Sequence, residues 1–269
     1  MFPIALRLGE LPITWYGVLV AGGFFTGVRW TLGAARRDGL SGAHVEWLAF
    51  WVIVAAVVGS RALFVLTQLP HFLEHPAEIF QPRRGGLVFL GGLLAAVAVG
   101  ALYMRLRRLP LLRYADLVAP GIALGHAIGR LGCLAVGCCY GTPAAGLPWA
   151  VRFPVSEWEQ IAPAGVPLHP VQLYEFGANL GIFALLLLLR PRRRFVGQIG
   201  LTYLALYGAA RIVLEVFRGD GERGFVWQGA LGEAVSTSQF TAAVLLIAAV
   251  VGYALLRRRA GAPSGSTPP

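Results

Sequence analysis

Long apolar runs separated by short polar, arginine-bearing connections dominate the chain. Seven runs are long enough to cross a bilayer: residues 15–35, 46–67, 86–104, 116–136, 171–189, 197–217 and 239–256. About 20 predominantly apolar residues in a helix span the roughly 30 Å hydrocarbon core. The pattern therefore predicts an all-α polytopic membrane protein with seven transmembrane helices. Residues 1–259 form a single seven-helix domain in this reading, with a loop at about 137–170 between helices four and five. Residues 260–269, rich in Gly, Ser and Pro, read as a disordered tail. The N-terminal residues lack a basic stretch followed by a small-residue cleavage site, so no removable signal peptide is expected. No soluble domain and no repeat of fixed period is visible.

Composition agrees with this pattern. The 269 residues are 57% hydrophobic and only 13% charged, against about 45–50% and about 25% in an average soluble domain. The mean hydropathy is +0.66. All 23 basic residues are Arg, and the net charge of +10 follows the connections between spans. One alternating set holds 13 Arg: 36, 37, 105, 107, 108, 113, 190, 192, 193, 194, 257, 258 and 259. The other holds six: Arg7, Arg83, Arg84, Arg152, Arg218 and Arg223. Cytoplasmic loops carry the Arg excess, so the N-terminus is expected outside, the C-terminus inside, and the 137–170 loop outside.

Four arginines fall within spans: Arg29, Arg61, Arg130 and Arg211. Such a charge costs at least about 2.5–3.5 kcal/mol at the bilayer centre, so it snorkels, pairs or serves a function. Arg29, near a cytoplasmic end, reads as snorkelling. Tyr207, Arg211, Glu215 and Arg218 follow at i, i+4, i+8 and i+11, on one helical face. That face is either a structural ion-pair stripe or an anion-binding one. His126 and Arg130 lie at i, i+4 among Gly125, Gly129 and Gly132, which permit close approach of a backbone or ligand. Asp116 opens the same span, where it caps the helix or pairs with an Arg. His169, Tyr174 and Glu175 gather polar groups at the start of span five. Arg, Tyr, Glu and His brought to one depth suit a phosphate-bearing lipid headgroup.

All three cysteines lie within seven residues: Cys133, Cys138 and Cys139. Their spacing fits neither C-x2-C nor a paired knuckle, so no metal is expected. Apolar packing, a disulfide and a reactive thiol stay open as readings.

Several stretches together resemble the prolipoprotein diacylglyceryl transferase family. They are Trp15-Tyr16-Gly17, Gly59-Ser60-Arg61, residues 85–92, Ala115-Asp116-Leu117-Val118-Ala119-Pro120, and Gly129-Arg130-Leu131-Gly132 closing with Gly141. His169 through Glu175 and Tyr207 through Arg211 and Glu215 to Arg218 complete the set. The resemblance implies a transferase of the bacterial inner membrane that moves the diacylglyceryl group of phosphatidylglycerol to the lipobox cysteine thiol of a prolipoprotein, releasing glycerol phosphate. It implies essential arginines at 130 and 211, with Tyr16, Tyr207, Glu215 and Arg218 supporting. Gly141 matches the glycine that ends the signature. Where the family carries His, Asn and Glu, this chain has Leu90, Cys133 and Cys138, and His126 is expected to take over proton handling. The expected site is thus catalytic Arg130, Arg211, Tyr16, Tyr207 and His126. Arg61, Asp116, Gly141, His169, Glu175, Glu215 and Arg218 are expected to bind substrate. No cofactor is implied, because the donor lipid carries its own leaving group. The expected partners are phosphatidylglycerol, prolipoprotein signal peptides and the bilayer, with no nucleic acid. A paralogous transferase with a different thiol or small-molecule acceptor, and a non-catalytic lipid-binding or transport protein, are the alternatives.

Overall fold

The computed structural model describes residues 4–9, 11–80, 86, 88–155, 161–221, 224–228 and 234–261. Of the tail expected at 260–269, residues 260 and 261 close the last helix, while 262–269, like part of the 85–92 stretch, lie outside the described residues. A short hairpin comes first, β1 (Ile4–Leu8) against β2 (Leu11–Thr14), and leads directly into α1 (Trp15–Arg37). Then follow α2 (Gly42–Thr67), the short α3 (Leu69–Glu74), a 3-10 turn at Pro76–Phe80, α4 (Phe89–Leu106) and α5 (Leu111–Val136). The connection after α5 carries β3 (Val151–Arg152) paired antiparallel with β4 (Pro167–Leu168). It continues into α6 (Val171–Leu189) and α7 (Gln198–Glu215), the hairpin of β5 (Phe225–Gln228) and β6 (Ala234–Ser236), and α8 (Thr237–Gly261).

Six of these helices are long and apolar enough to cross a membrane: α1, α2, α4, α5, α6 and α8. The protein is a mostly helical polytopic membrane protein. Outward faces of these helices carry exposed apolar side chains such as Phe25, Val58, Leu94 and Ile247, the pattern of a surface solvated by lipid rather than water.

The chain packs as two compact units, Leu32–Tyr114 and the remainder, Met1–Thr31 with Ala115–Pro269. In the smaller unit α2 and α4 pack against each other. Gly59 lies against Gly91, where an added Cβ would stand 2.6 Å from the Gly91 carbonyl oxygen. Arg61 works inside this unit. Its Nε donates to the Ile79 carbonyl at 3.0 Å, Nη1 to Gly86 at 3.2 Å and Nη2 to Glu78 at 2.6 Å, with the guanidinium over the rings of Phe64 and Phe72. Arg61, which the sequence suggests for substrate binding, here holds the connection after α2, whose carbonyls need donors.

In the larger unit, Ala119 and Ala123 of α5, Ile182 and Leu186 of α6, and Ile199 and Tyr203 of α7 form a buried core. Two glycines of α1 allow its backbone to touch α5: a Cβ on Gly23 or Gly27 would stand 2.5 Å from the carbonyl oxygens of Gly125 or Gly121. Small residues at such crossings give membrane helices their van der Waals contact. Asp116, buried in α5, accepts from the N–H groups of Gly197 at 2.7 Å and Gly200 at 2.9 Å. It caps α7, a helix start 81 residues further along the chain. Asp116 precedes Arg130 by 14 positions in α5, about 21 Å at 1.5 Å per residue. Its carboxylate satisfies the orphan donors of a helix N-terminus.

Candidate functional site

Three helices of the larger unit converge on one carboxylate. Glu175, in the first turns of α6, is only 3% exposed. Its Oε2 lies 2.6 Å from Nε of Arg130 on α5, and its Oε1 accepts from Nη1 of Arg211 on α7. Arg211 turns its other nitrogen, Nη2, to Glu215 Oε2 at 2.7 Å and to Ser238 Oγ of α8 at 3.0 Å. Arg218, just past the end of α7, brings Nη1 to 4.0 Å from Glu175 Oε1. Its Nε donates to Asp220 Oδ1 at 2.7 Å. Three guanidinium groups and three carboxylates thus share one buried network. Removing one member of such a network strands a charge at a cost of about 3–5 kcal/mol.

A small cavity opens onto this network. His126, Arg130, Glu175, Asn179, Tyr207 and Arg211 contribute to its wall. Arg130 Nε also donates to Nε2 of His126 at 3.1 Å, which fixes that ring nitrogen as the acceptor. The His126 ring lies 5.4 Å from Tyr207, and Tyr207 stacks on Tyr203 with centroids 5.9 Å apart. Tyr16, at the start of α1, is partly exposed and lies within electrostatic reach of Arg130 and the three cysteines.

The connection between α5 and α6 supports Arg218. Gly141 bridges the Arg218 backbone, and Thr142 N–H donates to the Phe217 carbonyl at 2.9 Å. A Cβ at Gly141 would stand 2.3 Å from the His169 carbonyl oxygen, so only glycine lets the two strands of the loop close here. His169 shares a hydrogen bond of 3.3 Å with the Tyr174 hydroxyl and packs its ring on Phe217. The Trp149 indole N–H donates to that same hydroxyl at 2.9 Å. Phe153, Ala162 and Leu168 give the loop an apolar centre of its own.

The structure brings Arg130, Arg211, Glu175, Glu215, Tyr207 and His126 together, with Arg218 adjoining. Gly141 and His169 hold the loop beside them. Ser238 and Asp220 were not singled out from sequence. Asp220 follows Arg218 by two residues in Arg-Gly-Asp, a local signal that could have been read; Ser238 sits among ordinary helix-start residues and offers none. The Cys138 and Cys139 thiols, half-buried beside Cys133, diverge. Hydrogen bonds from Cys133 and Cys138 pull the Cys139 thiol below its usual range, with Arg218 and Arg130 adding. Hydrogen bonds with its two neighbours, and then burial, push the Cys138 thiol up.

A buried guanidinium cluster facing a cavity inside a polytopic helical membrane protein has the chemistry to hold an anionic group. The sequence profile described as prolipoprotein diacylglyceryl transferase matches residues 3–255. A phosphatidylglycerol–prolipoprotein diacylglyceryl transferase of Symbiobacterium thermophilum is 35% identical over 262 residues, covering 96% of this chain and 93% of the relative. Proteins of the same description from Methylibium petroleiphilum and Finegoldia magna are 35% and 33% identical, over 96% and 92% of this chain and 97% and 93% of theirs. The chain belongs to the prolipoprotein diacylglyceryl transferase family. It is a transferase of lipoprotein biosynthesis.

Proposed function

We propose that the protein transfers the diacylglyceryl group of phosphatidylglycerol to the lipobox cysteine thiol of prolipoproteins and releases glycerol phosphate. The observation that carries this reading is the double engagement of Glu175 by Arg130 and Arg211 at the wall of a cavity. The thiol sulfur forms a bond to the terminal glyceryl carbon while the bond from that carbon to the phosphate oxygen breaks. The phosphodiester, a monoanion, leaves as a phosphate monoester dianion, so one negative charge is gained where the arginines stand. Preorganised guanidinium groups in a dry site stabilise that charge as it develops.

The free acceptor thiol, with a pKa of about 8.5, must also lose its proton. Glu175 takes it in this reading. One carboxylate charge then disappears as one phosphate charge appears, and Arg130 and Arg211 exchange one anionic partner for another. His126 accepts the Arg130 Nε–H at 3.1 Å, so protonating that nitrogen would place a cation against a cation. His126 is therefore a positioning residue for Arg130, with Nδ1 the nitrogen left for a proton. Tyr207 lines the cavity with Arg130 and Arg211; Tyr16 and Tyr207 act beside the arginine pair in this reading, and Glu215 and Arg218 hold its flanks. Gly141 and His169 shape the loop that carries Arg218.

The protein lies in the bacterial inner membrane in this reading. Seven spans cross the bilayer, α7 being the seventh, with the N-terminus outside and the C-terminus inside. The arginine bias of the connections supports that orientation. The α7 helix, 18 residues long with Arg211 and Glu215 inside it, spans by pairing these charges with each other and with Glu175 of α6 and Ser238 of α8.

Purified protein in phosphatidylglycerol-containing micelles with a lipobox peptide tests the reading. The expected result is equal yields of peptide carrying one diacylglyceryl group and of glycerol phosphate. Glycerol phosphate without peptide modification would point to a different acceptor, and neither product from a folded preparation would overturn the proposal.

A further inference from the structure

Spacing alone gives Cys133, Cys138 and Cys139 no metal-binding pattern, yet the fold brings all three sulfurs to within 4.8 Å of one another. Two backbone reversals do this. Helix α5 ends at Val136; Gly137 is left-handed at φ 78°, and the N–H groups of Gly137 and Cys138 both return to the Cys133 carbonyl, at 2.9 and 3.2 Å. Cys139 is left-handed too, at φ 57°, a conformation uncommon outside glycine and Asn or Asp. The turn is fixed from outside. Fully buried Gln172 donates Nε2 to the Cys138 carbonyl at 2.8 Å, and Gly219 N–H donates to the Tyr140 carbonyl at 3.0 Å. All three thiols are free and half-buried.

From this geometry we propose that Cys133, Cys138 and Cys139 form a three-sulfur site for a thiophilic d10 cation, zinc(II) or copper(I). Three sulfurs each about 2.3 Å from one ion in trigonal or tetrahedral geometry lie about 3.8–4.0 Å apart, so sulfurs within 4.8 Å of one another need to draw in by at most about 1 Å. An all-thiol donor set selects soft cations over magnesium or calcium. As each sulfur–metal bond forms, its thiol proton passes to solvent. Three thiolates around zinc(II) carry one net negative charge, and around copper(I) two. Arg130 and Arg218 lie within electrostatic reach of Cys139 and favour its thiolate. The ion would staple the end of α5 to the turn leading into Gly141, and so fix the strand that bridges Arg218. This inference is independent of the identity of donor and acceptor substrates.

The test uses the full chain, reduced and in detergent micelles, titrated separately with zinc(II) and with copper(I) under anaerobic conditions. Metal retained per chain after gel filtration, thermal midpoint and maleimide labelling of the cysteines are measured. The expected result is one equivalent of at least one cation, a raised midpoint, and protection of all three thiols in the wild-type protein. Each of Cys133→Ser, Cys138→Ser and Cys139→Ser is expected to bind at least about 10-fold more weakly, the lower bound for outer-sphere changes. Thiol protection in the wild-type protein decides the matter if a serine variant fails to fold. Three outcomes would overturn the proposal: no retained metal with all thiols labelled, equal binding by the triple serine variant, or a disulfide between two of the cysteines that survives reductant.

Discussion

Glu175 is the residue on which the chemistry turns. Its two oxygens face Arg130 and Arg211, so it holds both guanidinium groups in place and also occupies the position an anionic substrate would take. Glu175→Gln keeps the shape and one acceptor oxygen but removes the charge and the proton-accepting power. The variant is expected to bind phosphatidylglycerol at least as tightly as the wild-type protein, because an internal competitor is gone. Turnover should fall by about 10²-fold or more, the scale of general-base loss. Measuring KM and kcat separately checks this, and an unchanged kcat would remove Glu175 from proton transfer. Parts of this arrangement were readable in advance. Arg211 and Glu215 pair at i, i+4, a spacing that local helix geometry fixes. The pairing of Arg130 with Glu175 joins two helices 45 positions apart in sequence, and no local rule links them. His126 was readable as a neighbour of Arg130 but not as the acceptor of its Nε–H, since that depends on rotamers set by packing.

At the level of elements, the spans were legible because hydrocarbon imposes a length and a composition on any helix that crosses it. Expected limits of 171–189 and observed Val171–Leu189 coincide, and α2 begins four residues before its expected start at 46. The two-residue pair β3–β4 and the hairpins β1–β2 and β5–β6 were not anticipated. Their strands are two to five residues long, too short for alternation to register against apolar background. Asp116 shows the limit most clearly. Its sequence position announces a cap, and it is one, but for α7 rather than for its own helix. Asp116→Ala leaves two buried N–H groups without partners, at about 1–3 kcal/mol each. Thermal unfolding in detergent should show the loss. Per folded molecule, KM for phosphatidylglycerol should stay at the wild-type value; a selective rise in KM would instead return Asp116 to the substrate site.

For the whole molecule, charge distribution and chemistry point the same way. The surplus of Arg in alternate connections underlies the proposed orientation, while Arg130, Arg211 and Arg218 are buried and paired. A reporter active only in the cytoplasm, fused after Arg259, is expected to be active. The same reporter inserted in the 137–170 loop is expected to be silent, and the reverse pattern would invert the orientation. The account as a whole rests on the arginine pair stabilising a departing phosphate. Its most direct test is the single-turnover rate of thioether formation on a lipobox peptide in phosphatidylglycerol micelles, comparing the wild-type protein with Arg130→Ala and Arg211→Ala. The account predicts a fall of about 10²–10³-fold or more in each variant, the effect of losing one preorganised donor to a developing oxyanion. A wild-type rate in either folded variant would contradict it.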